Sequence, residues 1–249
     1  MTGMNDVTPH PQRLYLCQLS TTTLPLAAGQ TLQMSSGCYL VQMSDGTNVL
    51  IDSGLPADYT APAGVPAAEN EKDVLTHLRE LGLRPEDIDL LICTHFDVDH
   101  AGYHDAFRNA ELIVQRTHYE RAKSGDPRYA AARAHWDHPA LQYRLLDGDT
   151  ELLPGLTVIE TSGHAPGHQS VLVRLSQSGN VLLAVDAVVM QRLFTPERSA
   201  WPTDDNETQL RASTRKLLDI IEQEQVVLTV CGHDGGQWQT LKKAPESYE

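Results

Sequence analysis

Residues 94–100 read Thr94-His95-Phe96-Asp97-Val98-Asp99-His100. Directly before them lies the apolar run Leu90-Leu91-Ile92-Cys93, which predicts a short buried strand. His95, Asp97, Asp99 and His100 therefore crowd the mouth of a strand, where neighbouring side chains can be aimed into one cleft. Imidazole and carboxylate are ligands suited to zinc, iron or manganese. A solvated polar loop is the competing reading, and repetition of the pattern weighs against it. His164 and His168 follow the strand-like run Leu156–Glu160, Asp186 ends Val181–Val185, and His233 follows Val226–Val230. Burying a carboxylate such as Asp186 beside apolar residues is costly without a cation or hydrogen bonds.

Outward from this centre the sequence predicts an α/β chain. Strand character appears at Leu14–Leu19, Gly37–Met43 and Val49–Asp52, an antiparallel meander punctuated by turn residues such as Asp45-Gly46. Apolar residues at helical spacing predict a helix over Glu69–Leu81, stopped by Gly82, and another over Asp205–Glu222. Glu111–Gln115 and Ser170–Leu175 read as further strands, and Thr117–Lys123 as a short helix. The repeated order of meander, helix and strand suggests two similar halves, each a sheet with helices on its outer face. Pro56–Pro66, and Asp126–Tyr143 with its weak helical pattern, are expected to form the walls of a pocket.

Composition narrows the function. The 249 residues carry 41% hydrophobic and 21% charged side chains, the profile of an ordinary globular protein. A formal net charge of −14 argues against nucleic acid and anionic membrane surfaces as partners, since both attract cations. No apolar run approaches the roughly 18 residues needed to span a bilayer. The polar start Met1–Gln12 lacks the pattern of an export signal, so the cytoplasm is the default location. Cys17, Cys38, Cys93 and Cys231 are widely spaced in apolar runs and are expected to be buried free thiols. Neither a G-x-S-x-G elbow nor a phosphate-binding G-x-x-x-x-G-K-[ST] loop occurs.

The order H-x-D-x-D-H, then His, Asp and His, resembles the metallo-β-lactamase superfamily and, within it, the N-acyl homoserine lactonase branch. The matching stretches are Gly37–Val41, Val49–Gly54, Thr94–Gly102, Ile113–Glu120, Thr161–Ser170, Val181–Ala187 and Cys231–Asp234. The resemblance implies a four-layer αββα sandwich, a single hydrolase domain over residues 1–249, and a dinuclear metal site at the edge of two sheets. It assigns the first cation to His95, Asp97 and His164 and the second to Asp99, His100 and His233, with Asp186 bridging. Two divalent ions are implied, zinc first. Asp97 stands where the family usually has histidine, and this harder ligand also admits iron or manganese. His168 is expected to stand behind the ligands and Asp52 to hold the loop architecture by hydrogen bonds, neither as a direct ligand. His104, His118, His135 and His138 lie outside the pattern and are expected at the surface or lining the pocket. Val189 replaces a tyrosine that, in the lactonase branch, commonly helps to polarise the substrate carbonyl. A homodimer is the family's expectation.

The implied activity is hydrolysis of a small-molecule ester or lactone, N-acyl homoserine lactones among them (quorum quenching), by a metal-bound hydroxide. Asp99 would orient the nucleophile and pass its proton to the leaving alkoxide. The alternatives are a phosphodiester or thioester hydrolase, or a non-hydrolytic diiron redox or sensor protein on the same scaffold.

Overall fold

A computed structural model of the chain describes residues 8–26 and 29–249; residues 1–7, part of the polar start, and 27–28 lie outside the described residues. The first sheet contains β1 (Pro11–Pro25), β2 (Thr31–Met43), β3 (Asn48–Ile51), β4 (Glu69–Asn70), β5 (Leu90–Ile92), β6 (Glu111–Gln115) and β7 (Gln142–Leu146). Its order is β4-β1-β2-β3-β5-β6-β7. The strands β1, β2 and β3 form the expected antiparallel meander, and β3, β5, β6 and β7 then run parallel. The second sheet contains β8 (Thr150–Leu153), β9 (Leu156–Glu160), β10 (Gln169–Leu175), β11 (Gly179–Val185) and β12 (Leu228–Cys231), in the order β12-β11-β10-β9-β8. Its one parallel pair is β11 with β12.

Alternation along the strands explains why these sheets stack. In β1, Leu14 and Leu16 point to the core between the sheets, whereas Tyr15, Cys17 and Leu19 point to the opposite face. In β11, Val181, Leu183 and Val185 enter the same central core, and Leu182 and Ala184 face outward. Both faces are apolar because both are covered. Val74 and Leu78 of α1 (Val74–Glu80) cover the first sheet, and Leu217 of α4 (Glu207–Gln223) covers the second. Between them in sequence lie α2 (Arg116–Lys123) and α3 (Arg133–Trp136), and α5 (Gly235–Trp238) follows β12. The expected four-layer αββα sandwich is therefore present.

Several expected boundaries move for local reasons. The helix expected from Glu69 begins at Val74, because the Asp73 side chain accepts from Thr76 N at 2.7 Å and caps it, while Glu69–Asn70 pairs with β1. Asn206 similarly starts α4 by accepting from Gln209 N. The edge strands β7 and β8 were not expected, since neither presents a continuous apolar run. All four cysteines are buried and free, with Cys17 opposite Cys38 across β1 and β2. Among the described residues no helix is long and apolar enough to cross a membrane.

The loops at the strand ends are held tightly. A Cβ on Gly102 would lie 2.2 Å from the Pro56 backbone nitrogen and 2.5 Å from the Gly54 carbonyl oxygen. The Gly102 N–H donates to that carbonyl at 2.7 Å, locking the segment after His100 to the one after β3. Gly102→Ala should therefore destabilise the protein by about 1–3 kcal/mol, read as a lower denaturant midpoint. An unchanged midpoint would show that the two loops part easily.

Candidate metal centre

Parallel strands deliver the polar residues to one edge of the sandwich. Asp52 follows β3, His95–His100 follow β5, Asp186 follows β11 and His233 follows β12, while His164 lies in the β9–β10 loop. Two of these ends are backbone-strained: Asp52 has φ +59° and Val185, a β-branched residue, has φ +49°. Val185 turns the chain so that Asp186 leaves the sheet toward the other loops.

Asp186 Oδ2 is the geometric hub. It lies 3.0 Å from His233 Nε2, 3.4 Å from His164 Nε2, 3.6 Å from His100 Nε2 and 3.8 Å from His95 Nε2. Two groups of donors surround it, His95 with His164 and Asp186, and Asp99 with His100 and His233; within each the ligand atoms lie within 4.8 Å of one another. Among the described residues His95 Nε2, His100 Nε2 and Asp186 Oδ1 are buried without a hydrogen-bond partner. Buried polar atoms are rarely left so. Their convergence fits a site that could hold cations.

The other ring nitrogen of each histidine is occupied, which turns every Nε2 inward. His100 Nδ1 donates to Asp52 Oδ2 at 2.8 Å, and His233 Nδ1 donates to the Ser35 carbonyl at 3.0 Å. Thr94 Oγ1 gives its proton to Asp52 Oδ2 and can accept from His95 Nδ1 at 3.0 Å. His164 Nδ1 donates to Asp204 Oδ1 at 2.8 Å. Asp204 escaped sequence reading because the stretch Thr203-Asp-Asp-Asn206 looks only like a helix start. Asp52 plays the expected supporting part. His168 is buried with Nδ1 2.9 Å from Thr161 Oγ1 and belongs to neither donor group.

Three expectations are corrected here. His118 is neither exposed nor pocket-lining: it is buried, its Nδ1 donates to the Pro166 carbonyl and its Nε2 accepts from Phe96 N, tying two ligand-bearing loops together. His104 is also fully buried, with its pKa lowered to about 3 by burial. Asp126–Tyr143 does not wall the main cavity; Trp136 stacks on Phe96 with ring centroids 4.7 Å apart, and the segment packs behind the metal-type loop.

Asp97 stands in the ring, with Oδ2 3.3 Å from His95 Nε2 and 3.2 Å from His164 Nε2. Both of its oxygens, however, accept from Arg128, at 2.7 Å from Nε and 2.5 Å from Nη2. Burial works against the Asp97 charge, but Arg128 and then His95 outweigh it and hold the carboxyl well below the usual range. No sequence signal singled out Arg128 within its Ala- and Arg-rich surroundings. Burial likewise opposes charge on His100 and His233. Nearby carboxylates overcome it, Asp99 and Asp186 raising the first and Asp186 the second. Without a cation, the carboxylates thus favour the protonated forms of His100 and His233.

Above the donors opens a cavity of about 380 Å³. Asp97, Asp99, His164, Asp186 and His233 reach its floor. Its walls are largely apolar, lined by Leu55, by Tyr59 and Val65 of the Pro-rich loop, by Val189 and Trp201, and by Leu24 and Met34 of β1 and β2. The Pro56–Pro66 expectation holds for this wall.

Comparison with known proteins agrees with this geometry. The sequence profile of the metallo-beta-lactamase superfamily matches residues 33–233. The chain is 31% identical over 238 residues to an N-acyl homoserine lactonase of Bacillus thuringiensis, covering 91% of this chain and 92% of that protein. It is 35% identical over 192 residues to the N-acyl homoserine lactonase AttM of Rhizobium radiobacter, covering 74% and 72%. The solved structure of an N-acyl homoserine lactone hydrolase with N-hexanoyl-L-homoserine bound at its catalytic metal center superposes with a TM-score of 0.84 at 29% identity, over 96% of this chain and 100% of that one. Fold, donor arrangement and sequence together show that the chain belongs to the metallo-beta-lactamase superfamily.

Proposed function

We propose that this protein is a metal-dependent hydrolase of lactone ester bonds and that its substrates are N-acyl homoserine lactones. The observation that carries the reading is an apolar-walled cavity whose floor is a ring of inward-facing imidazoles and carboxylates. Such a cavity suits a small ester with an apolar acyl chain better than a polyanion. The relatives named above support the reading.

In this proposal His95, Asp97 and His164 would hold one divalent cation and Asp99, His100 and His233 a second, with Asp186 available to both; zinc is the first choice, with iron or manganese admitted by Asp97. When bound, the cations supply Lewis acidity, which acidifies water and polarises a carbonyl. The protein's own residues orient and move protons. Asp52, Asp204 and Ser35 fix the imidazole orientations from behind. The apolar walls seat the acyl chain and exclude bulk water. Asp99 faces the cavity with Oδ2 accepting from Ser36 Oγ at 3.3 Å. Its carboxylate takes a proton from the attacking water and returns it to the alkoxide oxygen as the ester bond breaks. Val189 brings packing and no hydroxyl, so it takes no part in polarising the substrate carbonyl.

Replacing Asp99 by Asn should lower kcat by about 10²–10⁴ on N-hexanoyl homoserine lactone. The assay should resolve the open-chain acid by mass spectrometry, with aryl esters, thioesters and phosphodiesters run beside it. Turnover confined to phosphodiesters or thioesters would replace the lactone reading, and a coloured iron protein inert toward all of them would favour a redox or sensor role.

Cation binding should also depend on pH with a definite sign. His100 and His233 have raised pKa values, so both hold their protons to higher pH than a free imidazole and a cation competes with those protons. Affinity of the chelator-treated protein for Zn²⁺ should increase from about pH 6 to about pH 8, with proton release visible when calorimetry is repeated in buffers of different ionisation enthalpy. A pH-independent affinity would contradict this charge balance.

A further inference from the structure

The two donor groups differ in one respect that their ligand types conceal. The guanidinium of Arg128 lies against only one of them. Besides its fork onto Asp97, Nη2 sits 2.8 Å from His164 Nε2, and Nη1 donates to the His164 carbonyl at 2.8 Å. A positive group is thus pressed on a ligand atom of the His95, His164 and Asp186 group. Among the described residues no arginine or lysine contacts the side chains of Asp99, His100 or His233.

We propose that Arg128 is an internal counter-cation that makes the two metal positions fill in order. The Asp99, His100 and His233 position binds first. The His95 and His164 position binds second, and only as Arg128 withdraws from His164 Nε2 and releases Asp97 to act as a ligand. The reason is electrostatic. A guanidinium beside His164 repels a second cation and already cancels the charge on Asp97, so the incoming ion meets a neutralised carboxylate and an occupied imidazole. The aspartate makes this arrangement possible, because a carboxylate accepts the two parallel N–H bonds of an arginine fork and an imidazole cannot. Room for withdrawal exists. Arg128 borders a second cavity of about 330 Å³, lined also by Asp97, Val98, Asp99 and Thr203.

The inference rests on the reading that this chain holds two cations. Its test measures metal binding alone, with no substrate. Chelator-treated protein is titrated with Co²⁺, followed by its visible absorption and by calorimetry, and folding of each variant is checked by circular dichroism. Wild type should bind one equivalent tightly and a second at least about tenfold more weakly. The tight equivalent should survive in His164→Ala and disappear in His233→Ala. Arg128→Met should strengthen the second equivalent by about tenfold or more and leave the first unchanged, whereas Arg128→Lys, which keeps the charge, should leave the second weak. If Arg128→Met does not fold, Asp97→His/Arg128→Met removes both members of the pair and should show the same strengthening. Two equally tight equivalents in wild type would overturn the ordering, as would loss of the tight equivalent in His164→Ala. An unchanged second equivalent in folded Arg128→Met, or in Asp97→His/Arg128→Met where the single variant does not fold, would overturn the role of the arginine. Absence of any Co²⁺ binding to folded wild type would sink the two-cation reading itself, an outcome separate from these.

Discussion

A carboxylate buried among imidazoles sets the terms for the rest of this protein. Asp186 Oδ2 lies within 3.8 Å of four histidine Nε2 atoms that arrive on three separate loops. Such a cluster is expensive to assemble from mobile segments, because each group loses its hydration and its rotamer freedom. The sandwich meets this cost with rigid strands whose ends are already adjacent. Where a strand alone does not aim the side chain, the backbone bends unusually, as at Val185 and Asp52. Close packing completes the fixation: a Cβ on Gly232 would meet Asp186 Oδ1 at 2.2 Å, so the residue before His233 must lack a side chain.

Much of this was legible from residue order. The strand-then-ligand pattern depends on local signals, an apolar run followed by His or Asp, and those signals survive folding unchanged. Hence His95, Asp99, His100, His164, Asp186 and His233 are brought together as the sequence suggested. What stayed hidden was set by long-range contact. Asp204 reaches His164 across 40 residues and His118 reaches Pro166 across 48, and neither pairing leaves a trace in local composition. Edge strands β7 and β8 were equally hard to see, because strands exposed along one side need not carry a continuous apolar pattern. No local signal separates the histidines outside the motif from surface or pocket-lining ones, yet His104 and His118 are enclosed by the aromatic cluster around Phe96.

Asp97 shows how the effect of one side chain can propagate. Its carboxylate adds a negative charge to the ring of imidazoles, and the Pro127–Tyr129 turn answers with Arg128. The Asp126–Tyr143 segment therefore acts on the cluster through charge while remaining outside the main cavity. A polar residue at one end of the pair has little meaning without the other, so the two positions form a unit for any experiment that alters either one.

The apolar walls of the cavity have a different origin from its floor. Leu55, Tyr59, Val65 and Trp201 belong to connecting segments that contribute no imidazole to the ring. Remodelling those segments can change the length or bulk of guest that fits while the reactive machinery keeps its geometry. Selectivity and chemistry are thereby separable heritable traits in this architecture, and drift in the first need not endanger the second.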